Sequence, residues 1–260
     1  MTRRAGRNEA LAGRYWEIDL LRGIAVLMMI GFHALYDLAF FSGPAIVDVR
    51  SGAMPTIAEA TASIFLLLVG LSLTISSARA GFLGWDRLLF RGIGIFSWGM
   101  AVTLSTFLVL EEGFVVFGIL HLIGISVILS LPILHRPRAA LLLGAAVIPA
   151  GLILRGQAIA TLWLLPLGLV PVGFYSVDYF PLLPWFGVVL VGIFLGSLLY
   201  PGGERRLPLP EISPTSPARL ICLLGRNSLP IYLLHQPVLI VAMGLFGIID
   251  IGRSLALPLP

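Results

Sequence analysis

Apolar residues run along this chain in blocks of about twenty, parted by short stretches that hold most of the charge and many of the prolines. A helix rising about 1.5 Å per residue needs about twenty residues to cross a hydrocarbon core of roughly 30 Å. The pattern therefore predicts spanning helices over Arg14 to Phe41, Ile57 to Ala78, Leu88 to Leu110, Phe114 to Leu134, Ala139 to Leu154, Phe180 to Tyr200 and Asn227 to Ile249. Between the fifth and sixth, Gly156 to Tyr179 is apolar but interrupted by Pro166 and Pro171, so a short broken piece is expected there, interfacial or re-entrant and covered by protein or a cavity. Pro201 to Pro217, with five prolines and mixed charge, reads as a linker. The expected fold is an all-α polytopic membrane protein, a bundle of about seven transmembrane helices forming a single domain over residues 1–260.

The first block, RYWEIDLLRGIAVLMMIGFHALYDLAFF, carries charge that a helix facing lipid would not tolerate. At about 100° per residue, Asp19, Arg22, His33 and Asp37 fall in a stripe about 60° wide. An ionisable group deep in a bilayer costs a few kcal/mol or more, so this stripe is expected to face other helices or a wet cavity, and it marks a functional-site candidate. Asp19 and Arg22, near the first turn at i, i+3, equally suit an ion pair anchoring the helix at the headgroup level. His33 lies about 16 Å beyond Arg22. With Asp37 one turn further on, it forms a His/carboxylate pair in which the acid is expected to fix the tautomer and raise the basicity of the ring, preparing a general base or nucleophile.

The last block opens LLGRNSLPIYLLHQPVLI, and Ser228, Tyr232 and His235 at i, i+4, i+7 share one face. Interhelical hydrogen bonding explains such a stripe as well as chemistry does, above all for Ser228 and Tyr232. Arg226 and Asn227, at the helix start, are placed to hold an anion such as a phosphate, although Arg226 reads equally as a topology signal. His121, alone on an apolar helix, is more readily a packed, satisfied histidine than a catalyst. His135, beside Arg136 at a helix end, suits the helix dipole and carries no assigned chemistry.

Composition narrows the class. At 58% hydrophobic and 12% charged residues, the chain is an integral membrane protein with no room for a sizeable soluble domain. All 17 basic residues are Arg, which excludes a lysine Schiff base and a P-loop lysine. They are dispersed among loops without interleaved aromatics, so the net charge of +4 does not point to nucleic acid. Their distribution reports topology: with the N-terminus cytoplasmic, 13 arginines fall inside, only Arg50, Arg155 and Arg253 outside, and Arg22 within the first helix. Residues 1–16 then form a cytoplasmic basic tail that stays attached, since the following run is too long and too charged for a signal peptide. The single Cys222 permits no internal disulfide, and no metal site is expected, because no two histidines have chelating spacing and no HExxH, GxSxG or Walker pattern occurs.

Five segments taken in order, EIDLLRGIAVLMMIGFHALYDL, ASIFLLLVGLSLTIS, FGILHLIGIS, SVDYFPLLPWFGVVLVGIFLG and LGRNSLPIYLLHQP, resemble the prokaryotic members of the heparan-alpha-glucosaminide N-acetyltransferase catalytic-domain family, within the wider group of transmembrane acyltransferases. The resemblance covers nearly the whole chain. It implies a prokaryotic cell-membrane enzyme that moves an acetyl group from cytoplasmic acetyl-CoA to an amino sugar or cell-surface glycan on the outer side; whether the chain forms a homo-oligomer is left open by the sequence. One departure stands out: lysosomal eukaryotic members carry Asn where His33 stands and place the catalytic histidine in the loop after the first span. Here that loop, Ser42 to Thr56, has no histidine, so either His33 assumes the role or the chemistry differs.

Combined with the residues, the resemblance yields a mechanism as an expectation. Arg226, Asn227 and Arg91 would meet the phosphates of acetyl-CoA. His33, oriented by Asp37, would deprotonate the acceptor or carry the acetyl group, and His235 would polarise the thioester or protonate the leaving thiolate. Asp19, Arg22, Tyr232, Ser228, Asp178 and His121 complete the candidates for substrate contact, with Glu59 placed beside Asp178 near the outer mouth. A small-solute or proton-coupled transporter is the alternative, since buried His and Asp also suit a proton relay. No internal repeat is visible to favour it.

Overall fold

The structure, a computed structural model, describes residues 14–42, 52–80, 84–110, 112–157, 161–210 and 217–249. Arg3, Arg4, Arg7, Arg50, Glu111, Arg253, most of the loop after the first span and the middle of the proline-rich linker lie outside them. The described helices are α1 (Trp16–Ser42), α2 (Met54–Ala80), α3 (Trp85–Val109), α4 (Ile119–Ser130), α5 (Pro137–Leu154), α6 (Leu182–Leu199), α7 (Ala218–Arg226) and α8 (Ser228–Leu245). Six of them, all but α4 and α7, are long and apolar enough to cross a membrane. No strand occurs among the described residues, only an isolated parallel bridge between Phe117 and Tyr179. The chain is an all-α polytopic membrane protein.

Contacts divide it into two compact units, one of residues 1–64 and 210–260, the other of residues 65–209. In the larger unit, Leu66, Leu73, Leu122, Val127, Val189, Leu190 and Ile193 form the buried core. Glycines let its helices meet backbone to backbone: a Cβ on Gly70 would fall 2.0 Å from the Val189 carbonyl oxygen, and one on Gly192 would fall 2.3 Å from that of Leu67. Thr74 Oγ1 adds a hydrogen bond to the Ile193 carbonyl at 3.1 Å. Such contacts matter in lipid, where burying apolar surface between helices gains little and close packing of small residues takes its place.

The fourth expected span, Phe114 to Leu134, contracts to the 12 residues of α4. Its upstream end is extended and pinned to a distant loop, with Val177 N–H donating to Gly113 O at 2.8 Å and Phe180 N–H to Phe117 O at 2.9 Å. Asp178 Oδ2 accepts from Ile119 N–H at 3.3 Å and so starts the helix. Downstream, Pro132 lacks the N–H that would continue the ladder. The broken stretch after α5 holds a 3-10 turn, Leu162–Leu167, closed by Gly168 at φ 102°. Tyr179 hydroxyl donates to the Leu165 carbonyl at 2.7 Å, and burial pushes this phenol up to about 12, so it remains a donor.

One end of this unit gathers its basic turns. Arg79 donates through Nε and Nη2 to the Gly203 carbonyl at 3.3 and 3.2 Å, and Ser77 Oγ lies 3.3 Å from His135 Nε2. These contacts bring together the end of α2, the turn after α4 and the end of α6, as arginine counting expects of spans that alternate in direction.

In the smaller unit α7 lies directly on α1. A Cβ on Gly225 would meet the Asp19 carbonyl oxygen at 1.9 Å, and one on Gly23 that of Ile221 at 2.0 Å. Cys222 is buried in the seam, its thiol 3.5 Å from the Trp16 carbonyl, and burial together with the neighbouring Asp19 charge pushes the thiol pKa up. Three contacts then run in chain order along both partners: Asp19 to Arg226, His33 to His235, and Asp37 to Gln236. Helices α1 and α8 therefore run parallel within this unit.

Candidate active site

The polar stripe of α1 faces protein within the smaller unit and splits into two groups. At the helix start, Asp19 is 4% exposed and accepts from Arg226 Nε at 2.8 Å, while Arg22 Nη1 stands 3.5 Å from its other oxygen. The pairing of Asp19 and Arg22 expected at i, i+3 is thus joined by a cation from the far end of the chain. With Nε spent on Asp19, Arg226 keeps both terminal amino groups, and its side chain is 32% exposed. Asn227 Nδ2 donates to the Leu223 carbonyl at 2.8 Å and ties off the end of α7.

About 21 Å further along α1 by the helical rise lies the second group. His33 Nδ1 is 2.9 Å from the Met29 carbonyl, and His235 Nδ1 is 2.6 Å from that of Tyr232. A carbonyl oxygen only accepts, so Nδ1 carries the proton in each neutral ring and Nε2 the lone pair. The two rings meet edge to face, with centroids 4.7 Å apart and planes at 76°.

Asp37 is not the group that orients His33. The main-chain carbonyl one turn back does this, and the Asp37 carboxylate, 2% exposed, instead accepts from the side-chain amide of Gln236. Gln236 escaped the sequence reading, although an amide next to His235 in an apolar span carries the same signal as the stripe beside it. Among the described residues three buried atoms of this group have no hydrogen-bond partner: Asp37 Oδ2, Gln236 Oε1 and His235 Nε2. With Gln236 Nε2 donating to Asp37 and His235 Nδ1 donating to Tyr232, all three are acceptors. A buried polar atom left unpaired costs about 1–3 kcal/mol, so the group is complementary to a molecule that brings N–H or O–H donors.

The remaining candidates fall elsewhere. Tyr232 supplies the carbonyl under His235 and leaves its own ring 5.6 Å from the imidazole, while Ser228 opens α8 two turns earlier. Glu59 stands in the early turns of α2. In the larger unit, His121 is 2% exposed between Phe96 and Phe117; its Nδ1 accepts from Gly118 N–H at 3.1 Å and its Nε2–H reaches Thr103 Oγ1 at 3.3 Å. Both ring nitrogens are thus engaged, Nδ1 at the start of α4 and Nε2 on Thr103 of α3. Arg91 lines a cavity with Arg79 and Arg87.

Residues 14–237 match the model of a family described as heparan-alpha-glucosaminide N-acetyltransferase, catalytic, a span that ends just beyond His235 and Gln236. No curated protein and no solved structure matches the chain.

Proposed function

The chain belongs to the heparan-alpha-glucosaminide N-acetyltransferase catalytic family, which makes it a membrane transferase, and from that premise we propose that it moves the acetyl group of acetyl-CoA to an amine or hydroxyl of an amino sugar or glycan. The observation that carries this reading is the pair of imidazoles, each with Nδ1 held by a main-chain carbonyl and Nε2 left as a base.

In the reaction the acceptor N–H or O–H sits against the acceptor-only group of Asp37, Gln236 and His235. Nε2 of one imidazole takes the acceptor proton as the acceptor's lone pair attacks the thioester carbonyl. The carbon–sulfur bond then breaks, and the resulting imidazolium returns the proton to the CoA thiolate. Of the two roles expected of His235 this keeps proton return to the leaving thiolate and drops polarisation of the thioester, because an imidazole whose Nε2 bears a lone pair cannot polarise a carbonyl until it has been protonated. A transient acetyl-imidazole at His33 uses the same lone pair and is the other route open to it. Arg226, aimed by Asp19 and Arg22, offers its terminal amino groups to a phosphate of the donor at the α7/α8 junction, whose shape Asn227 sets. With the N-terminus cytoplasmic, that end faces the acetyl-CoA pool and the imidazoles lie in the outer half of the bilayer.

The test is reconstitution with acetyl-labelled CoA and a panel of amino sugars, comparing wild type with His33→Ala and His235→Ala. Loss of about a hundredfold or more in either variant is expected. Undiminished transfer in both removes the imidazoles from the chemistry, and solute uptake into liposomes without CoA would support transport instead.

A further inference from the structure

In the larger unit, the last turn of α2 and the first turns of α3 line an open cavity of about 390 Å³. Arg79, Arg87 and Arg91 line it together with Ser76, and no carboxylate does. Arg87 and Arg91 are one helical turn apart on α3, so their guanidinium groups project from the same face. Neither has an ion-pair partner among the described residues. Arg79 is set in place by its two hydrogen bonds to the Gly203 carbonyl. The cavity also opens at the N-terminus of α3, where Gly84 gives no side-chain cap, adding the positive end of a 25-residue helix to three cations. Arg87 and Arg91, side by side at this opening, favour an anion between them. At about 30 Å³ per water, the volume equals roughly a dozen waters, room for a diphosphate and part of its hydration.

We propose that this cavity is a binding site for a phosphate monoester or diphosphate, held by Arg79, Arg87 and Arg91. A planar guanidinium grips phosphate oxygens in pairs, and Ser76 adds a hydroxyl donor. The cavity lies at the basic end of membrane-spanning helices, where two sources of that chemistry meet, the headgroups of anionic lipids and the phosphates of a soluble nucleotide. The site does not depend on the acetyl-transfer reading, because its test reads binding alone.

The experiment places the full chain in phosphatidylcholine nanodiscs and measures binding of inorganic pyrophosphate by calorimetry, then repeats the preparation with phosphatidylglycerol and counts retained lipid by native mass spectrometry. Wild type binds one probe or both, and the double substitution R87Q/R91Q weakens that binding at least about tenfold. R138Q, a substitution outside the cavity lining, leaves it unchanged, and R87K/R91K, which keeps the charge but loses the planar fork, binds measurably more weakly than wild type and serves as the test if the Gln variant does not fold. Saturable pyrophosphate binding identifies a soluble phosphate, and phosphatidylglycerol retained against excess pyrophosphate identifies a headgroup. Binding of neither probe, or equal binding by wild type and a folded R87Q/R91Q protein, overturns the proposal.

Discussion

The imidazoles of His33 and His235 meet edge to face at 4.7 Å although they come from opposite ends of the chain, and each ring turns its Nδ1 to its own helix backbone. The backbone thereby does the orienting that a carboxylate performs in many general-base pairs. His235→Gln removes the Nε2 base while keeping a polar side chain of similar reach. Steady-state assays on reconstituted protein are expected to show kcat lower by about 10²–10⁴ with the KM for acetyl-CoA little changed. A rise in KM at constant kcat would assign His235 to binding alone.

Asp37 and Gln236 form a hydrogen bond between α1 and α8, and the Asp37 carboxylate in it is buried. Gln236→Leu strands a buried carboxylate and is expected to cost about 1–3 kcal/mol of stability. Replacing both residues by Leu removes the unpaired acid along with its partner, so the double variant should be more stable than the single changes predict, with a coupling above about 0.5 kcal/mol. Unfolding in detergent by chemical denaturant measures the cycle, and strict additivity would show that the pair does not act as one. If the same oxygens receive the acceptor, Gln236→Leu also raises the acceptor KM.

How far the chain could be read in advance follows from which forces are local. Hydrophobic length answers to bilayer thickness, so α2, α3, α5, α6 and α8 lie within a few residues of their expected spans. The shortness of α4 was hidden because its start is set by Asp178, 59 residues away in the chain. At the site, helical periodicity correctly grouped Asp19, Arg22, His33 and Asp37 on a face turned to protein. Periodicity names a face and not a partner: the main-chain carbonyl of Met29 holds His33 in place of Asp37, Asp37 pairs with Gln236, and Asp19 adds Arg226 from the far end of the chain to its expected partner Arg22.

Cys222 offers a check on the seam between α1 and α7 that requires no enzyme assay. Its thiol is 2% exposed, and burial beside Asp19 raises its pKa, which lowers the thiolate fraction at any given pH. The native protein should therefore resist maleimide at pH 7, react only slowly as the pH is raised towards 9, and label fully once denatured. Rapid labelling of the folded protein at pH 7, followed by mass spectrometry, would mean that the seam is open.

The same seam should respond to a single methyl group. A Cβ at Gly225 would lie 1.9 Å from the Asp19 carbonyl oxygen, and this is backbone on a rigid helix that cannot swing aside. Gly225→Ala must lift α7 from α1, with a cost of about 1–3 kcal/mol or more from overpacking. Because Arg226 follows directly, that movement also withdraws its guanidinium from Asp19. Gly31 provides the control on α1: a Cβ there meets nothing within 4 Å, so Gly31→Ala should hold or raise the melting temperature, helix propensity favouring Ala by up to about 1 kcal/mol. Thermal unfolding of both variants in the same detergent separates the two cases. A Gly225→Ala protein as stable as wild type, with unaltered Cys222 labelling, would show that the two backbones do not touch.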